Sequence, residues 1–299
     1  MGHQGASFPF LTTEPALQSR ALLARGVLAL GCAALVIPTM IGVARYSWST
    51  EQGGHGPLVL ATGVWLLWRE AKGSSGIRKP GEILIGTSVI IATLSIYLLA
   101  RITGILQIEG FAMYGALIGA VYLCVGGAFL KRIWFPLVYL AFALPPPESV
   151  VAVVTQPMKI AISASAVSLL HALGYPVASS GVEIQIAQYQ LLVAAACAGL
   201  NSIVTLSALC IFYVYLTHRS NPMTFLAICV AVIPIAAFSN FVRVVILVLI
   251  TYYLGESAAQ GFLHELAGLT LFAVALLTLF ALDKLATPLL NRRGLKVHA

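Results

Sequence analysis

The chain has 299 residues, of which 60% are hydrophobic and 9% charged, and carries a formal net charge of +7. Soluble domains hold roughly 45–50% apolar and about 25% charged residues, so this balance excludes a soluble globular protein and identifies an integral membrane protein. The apolar residues fall in blocks of about 20 rather than in alternating strands, which selects helices over a barrel, and the basic residues cluster in short loops, which excludes a nucleic-acid partner.

Residues 1–20 are polar with Gly and Pro and are expected to form a cytoplasmic tail. The apolar run that follows is long and has no Ala-x-Ala-type cleavage site, so an uncleaved first span is expected, not a signal peptide. Apolar runs predict eight spans, at 22–44, 54–68, 83–100, 111–130, 133–147, 193–216, 223–254 and 264–285. The second and fifth are short, about 15 residues or roughly 22 Å of helix against a hydrocarbon core near 30 Å. With eight spans, Arg20, Arg25, Arg69, Lys72, Arg78, Lys79, Lys131, Arg132, Arg219, Lys284, Arg292, Arg293 and Lys296 share the cytoplasmic side. Arg45, Arg101 and Lys159 fall outside. The expected fold is an all-α polytopic membrane protein of about eight transmembrane helices, surrounded by the lipid bilayer, with both termini cytoplasmic. No internal repeat divides it, so the organisation is a tail at 1–20, one membrane domain at 21–286 and a basic tail at 287–299.

The longest stretch between spans, 145–192, opens with Pro145-Pro146-Pro147 and continues as an amphipathic helical stretch through His171. After a turn at Ser179-Ser180-Gly181, Val182 to Ile186 alternates with period two, so a short strand or hairpin is expected to lead into the segment carrying Cys197.

Counted back from the basic tail, the loop at 251–263 is outside, 218–222 is inside, and the span that begins near Cys197 starts from outside. Cys197 and His264 therefore open two different spans at one face. From Met223 on the inner side, about 20 residues at 1.5 Å each reach the outer boundary near Arg243. The 223–254 run amounts to roughly 48 Å of straight helix, so either Pro234 kinks it or its end extends beyond the bilayer. Asn240 lies one turn before Arg243 on the same face.

Each of these residues has a plainer reading. Arg243 could snorkel to the headgroups, His264 could be an interfacial anchor, and His55, in Gly-Gly-His-Gly-Pro before the second span, could be a solvated loop residue. Cys32, Cys124, Cys210 and Cys229 lie inside apolar runs and read as packing residues. Cys197 differs because it opens a helix, followed by Gly199 and Asn201, where the helix N-terminus and a nearby cation favour a thiolate. No CxxC, HxxxH or comparable spacing occurs, so no metal is expected, and no cofactor is suggested.

Taken together, the motifs resemble those of the exosortases and related archaeosortases, which are multispanning membrane transpeptidases. The resemblance rests on Trp48 with His55-Gly56-Pro57-Leu58, the prolines at Pro145 to Pro147, and the strand-then-cysteine segment from Gly181 to Leu200. Pro234 through Asn240-Phe241-Val242-Arg243, and His264 through Gly268, complete it. It implies Cys197 as nucleophile, Arg243 as oxyanion or substrate partner and His264 as general acid and base, with Asn240, Asn201 and His55 as supporting or substrate-binding residues. The implied partners are exported proteins with a C-terminal sorting signal of Pro-Glu-Pro type, one transmembrane helix and a basic end. The implied location is a bacterial inner membrane with the active site facing the periplasm. Ala198 stands where the family usually has Ser, and the acidic residue often found near Ala195 is lacking, which implies altered fine specificity. Two rivals compete with this reading. One is a transporter or non-catalytic component of exopolysaccharide export, for which midplane charges and repeated halves would be expected. The other is a hydrolase using the same triad with water as acceptor, separable by product mass.

Overall fold

Lipid offers backbone groups no partners, so each spanning segment must satisfy its own hydrogen bonds, and helices follow. The computed structural model describes residues 14–50, 53–73, 76, 79–181, 183–192, 200–219, 221–255 and 262–294. In chain order these form α1 (Glu14–Val43), continued by a π-helical turn (Ala44–Trp48), then α2 (Gly56–Lys72), α3 (Ile83–Thr103), α4 (Leu106–Arg132), α5 (Trp134–Ala141) and α6 (Glu148–Ala172). Strands β1 (Val177–Ser180), β2 (Glu183–Ile186) and β3 (Tyr189–Leu192) precede α7 (Leu200–His218), α8 (Pro222–Leu254) and α9 (Phe262–Gly294). Among the described residues, Gly26–Trp48, Ile83–Thr103, Leu106–Arg132, Val151–Ala172 and Met223–Leu254 are long and apolar enough to cross a membrane, and Val204–His218 is a shorter apolar helix. The protein is a polytopic, mostly helical membrane protein.

Several boundaries have local causes. Gly104, at φ 72°, ends α3 in the left-handed region and lets α4 fold straight back on it. Gly86, Gly115 and Gly119 leave room there for Leu123, Thr93 and Ile90 across the contact. Within α4, Gly126 breaks the helix at φ 79°, ψ 171°, where Lys79 N–H bonds to Val125 O (3.2 Å) and Gly81 N–H to Leu123 O (3.3 Å). A Cβ at Gly126 would stand 2.0 Å from the Lys79 carbonyl oxygen, so only glycine fits. Asn221 caps α8 by accepting from Thr224 N–H (3.2 Å), with Pro222 opening the helix.

Two opposite faces organise the bundle. On one, the Arg219 face, Arg219 pairs with Glu70 at the end of α2, and Phe135 stacks on Tyr215 with ring centroids 3.7 Å apart while meeting Phe225 edge to face. On the other, the His55 face, α2 begins, α3 turns into α4, and the Trp48 indole N–H donates to Ala143 O (2.9 Å) after α5. Arg69, Lys72, Lys79, Lys131, Arg132, Arg219 and Lys284 belong to elements ending at the Arg219 face, whereas Arg45, Arg101 and Lys159 belong to the His55 face.

The expected fifth span is helical over only eight residues, Trp134–Ala141. After the eight residues of α5 the chain continues in tight turns, Phe142 N–H bonding to Tyr139 O and Leu144 N–H to Ala141 O. The apolar character of α6 would suit a crossing, yet both its ends lie on the His55 face. Val151 shares a cavity with Trp48 there, and Ile162, Ala166 and Leu170 pack on Val244 and Val248 beyond Arg243 in α8. The start of α6 thus neighbours Trp48, and its later part neighbours the end of α8. The period-two stretch is β2, with Ile184 and Ile186 fully buried and Gln185 outward, in an antiparallel β1-β2-β3 sheet with Ile184 opposite Ser179 and Leu191. Helix α1 begins at Glu14 and α9 runs to Gly294, so helix extends into both segments expected as tails.

Candidate active site

Helix α8 is one continuous helix of 33 residues, Pro234 included, and its two parts have different neighbours. In the first, Ile228, Val232, Ile235 and Ala236 share a core with Leu206, Cys210 and Val214 of α7 and with Leu271, Ala275 and Leu279 of α9. In the second, Val244 and Val248 pack on α6 and the sheet. The helix thus extends past the bundle rather than ending within it, which accounts for its length.

Arg243 and Asn240 sit at the hand-over. At 100° per residue they continue the face of Val232 and Ala236, toward α7 and α9, while Val244 and Val248 lie on the adjacent face. Both are buried, Arg243 at 5% and Asn240 at 1% exposure, and neither is without an interaction partner. A residue buried to this degree is enclosed by protein and is not snorkelling into headgroups.

The rows of the shared core set the level of the neighbouring helices. On α8 and α9, which are consecutive and share this core, the stretch Ile228–Ala236 lies against Leu271–Leu279, so antiparallel packing sets Val232 about level with Ala275. About three turns further along both helices, Arg243 is level with position 264, the third residue of α9. On α7 the same positions match Val214, Cys210 and Leu206, so the start of α7 at Leu200 is level with Val242 and Arg243. Cys197 and Ala198 lie outside the described residues. Asn201 and His264 lie in helix, as the second residue of α7 and the third of α9, and their side chains are outside the description.

His55, the residue before α2, is half-buried and lines a separate feature, a cavity of about 1030 Å³ on the same face. Its walls include Trp48, Arg45, Arg101, Glu109 and Pro145. Arg101 Nη1 donates to Glu109 Oε1 at 2.6 Å, Thr39 Oγ1 donates to the same oxygen at 2.8 Å, and Thr39 contacts the Tyr97 hydroxyl at 3.2 Å. Sequence reasoning missed this network. Its signal was an acidic residue in an apolar helix, Glu109, facing an arginine across the Gly104 turn. Among the described residues no cluster of ligating side chains could hold a metal ion.

The family model of the transmembrane exosortases matches residues 48–281, most of the chain. The chain belongs to the transmembrane exosortase family. No curated protein and no solved structure matches it. Family membership implies membrane processing of sorting signals on substrate proteins, by relatives known as cysteine transpeptidases. The matched region of this exosortase opens at Trp48 and takes in the sheet, the hand-over on α8 and the cavity's lining from Trp48 onward, while Arg45, Ile41 and Pro38 precede it. The Trp48 and His55-Gly56 motif also gains a physical reading, since a Cβ at Gly56 would lie 1.9 Å from the indole nitrogen of Trp48. The glycine is the seat on which that indole rests.

Proposed function

We propose that this exosortase cleaves the C-terminal sorting signal of exported proteins through a thioester on Cys197 and passes the acyl group to an acceptor. The Cys197 thiolate attacks the scissile carbonyl carbon, Arg243 stabilises the oxyanion, and the C–N bond breaks as His264 protonates the departing amine. His264 then takes the proton of the acceptor, whose attack on the thioester restores the thiolate. The observation that supports this reading best is the buried Arg243, facing α7 and α9 level with the start of both helices. Asn240, one turn away on the same face, and Asn201 are proposed to support the site, and His55 to contact substrate. The charge distribution supports a cytoplasmic Arg219 face and a periplasmic His55 face in a bacterial inner membrane.

Coexpression with a tagged substrate bearing such a signal tests this. The wild type should shorten the substrate, whereas Cys197→Ala, His264→Ala and Arg243→Lys, each at wild-type membrane level, should lower processing at least about tenfold. The lysine retains charge but lacks the planar guanidinium. Full processing by Cys197→Ala would exclude the nucleophile. A product of simple hydrolytic mass would exclude transfer.

A further inference from the structure

The positive-inside pattern makes outward-facing arginines uncommon, and besides the buried Arg243, two of the three basic residues on the His55 face of the described structure line one cavity. They are presented differently. Arg101 is held from below by Glu109, a carboxylate 5% exposed and itself fixed by Thr39, while the Arg101 side chain remains 47% exposed. Arg45, at the π-helical turn ending α1, is exposed and has no ion pair among the described residues. Among the described residues, two guanidiniums against one carboxylate leave the cavity's upper rim with a net positive charge.

Below the rim the α1 side of the lining is apolar. Ile41 lies one turn below Arg45 on α1, and Pro38 two turns below, about 10 Å deeper, with Leu106 opposite. Ile41 is 46% exposed, so this side of the cavity opens laterally to lipid. The α1 side of the wall, at Pro38, Ile41 and Gly42, has its backbone groups bonded within the helix and offers an extended peptide few partners. A phosphodiester needs only the guanidiniums.

We propose that this cavity binds a membrane phospholipid from the leaflet on the His55 face, its phosphate between Arg45 and Arg101 and an acyl chain along Ile41 and Pro38. Neither Arg243 nor Asn240 lines the cavity, so Arg243→Lys should bind lipid as the wild type does.

The test is native mass spectrometry of the full chain released from detergent micelles and titrated with dioleoylphosphatidylglycerol. One retained lipid per chain is expected, with binding at least about tenfold weaker in Arg45→Gln, a change at an exposed residue. Dioleoylglycerol, which lacks the phosphate, should bind at least about tenfold more weakly to the wild type, an arm that needs no variant. Equal binding of the two lipids, or unchanged binding by Arg45→Gln, overturns the proposal. Displacement by millimolar inorganic phosphate would assign the site to a free anion and overturn it. Displacement by an apolar helical peptide with a flanking glutamate, but not by its glutamine counterpart, would assign the cavity to a substrate segment and overturn it too.

Discussion

Adding one methyl group at Gly56 should unseat Trp48. A Cβ there would lie 1.9 Å from Nε1, 2.2 Å from Cδ1 and 2.5 Å from Cε2 of the indole. Non-bonded contact begins near 3.5 Å, so the ring must withdraw by more than about 1.5 Å. That carries Nε1 away from Ala143 O, now at 2.9 Å, and separates the end of α1 from the turns after α5. Losing the hydrogen bond costs about 1 kcal/mol, overpacking adds about 1–3, and the better helix propensity of Ala returns less than about 1 at a first helical residue. Gly56→Ala should therefore destabilise the protein by about 2–4 kcal/mol in equilibrium unfolding by SDS in mixed micelles. In a Trp48→Ala background the same substitution should cost under about 0.5 kcal/mol, because the obstructed group is gone. A Gly56→Ala protein as stable as the wild type, or costs that simply add in the double variant, would refute the reasoning.

Gly126→Ala meets backbone rather than a side chain, 2.0 Å from Lys79 O at a φ of 79°, and should cost about 3 kcal/mol or more in the same assay; a cost below about 1 would contradict the break in α4. Glu109→Gln should cost about 1–2 kcal/mol, less than a fully buried pair because Arg101 is half-exposed, and an unchanged stability would mean that the pair contributes nothing. If both ends of α6 lie on the His55 face, a cysteine at the exposed Ser165 should react with a membrane-impermeant maleimide from the same side as one at Thr50. Labelling of the two from opposite sides would make α6 a crossing helix.

The apolar blocks made the helical, membrane-spanning class legible, because backbone satisfaction in lipid leaves helices as the answer. The strand before α7 was legible too, since Ile184 and Ile186 alternate with outward Gln185 on a sheet half covered by α6. Hydropathy carries no information about where a helix end sits relative to the membrane plane, and that is where the sequence was ambiguous. α6 is apolar enough to cross but serves as a cover, and the fifth apolar run holds only eight helical residues. The cavity was illegible for a different reason. Arg45, Arg101, Glu109 and Thr39 are drawn from three helices, and the charge pattern marked only the two arginines, as exceptions.

The position of Arg243 explains how a cation can be buried here without the full cost of the bilayer centre. α8 outruns the bundle, so its packing changes from α7 and α9 to α6 and the sheet just where Asn240 and Arg243 occur. Those elements pack on Val244 and Val248 immediately beyond Arg243, which is itself only 5% exposed. Under the proposed mechanism this has a chemical consequence. A thioester survives to meet an acceptor only where water is scarce, and an oxyanion is stabilised more strongly by a cation that water does not screen. Thinning the cover should then shift the outcome rather than the rate of the first step. Leu170, fully buried between α6 and α8, is the place to try it. Leu170→Ala should raise the hydrolysed fraction of the product relative to the transferred fraction, read by substrate mass, while cleavage itself persists. An unchanged ratio in a folded Leu170→Ala protein would separate the cover from the choice of acceptor.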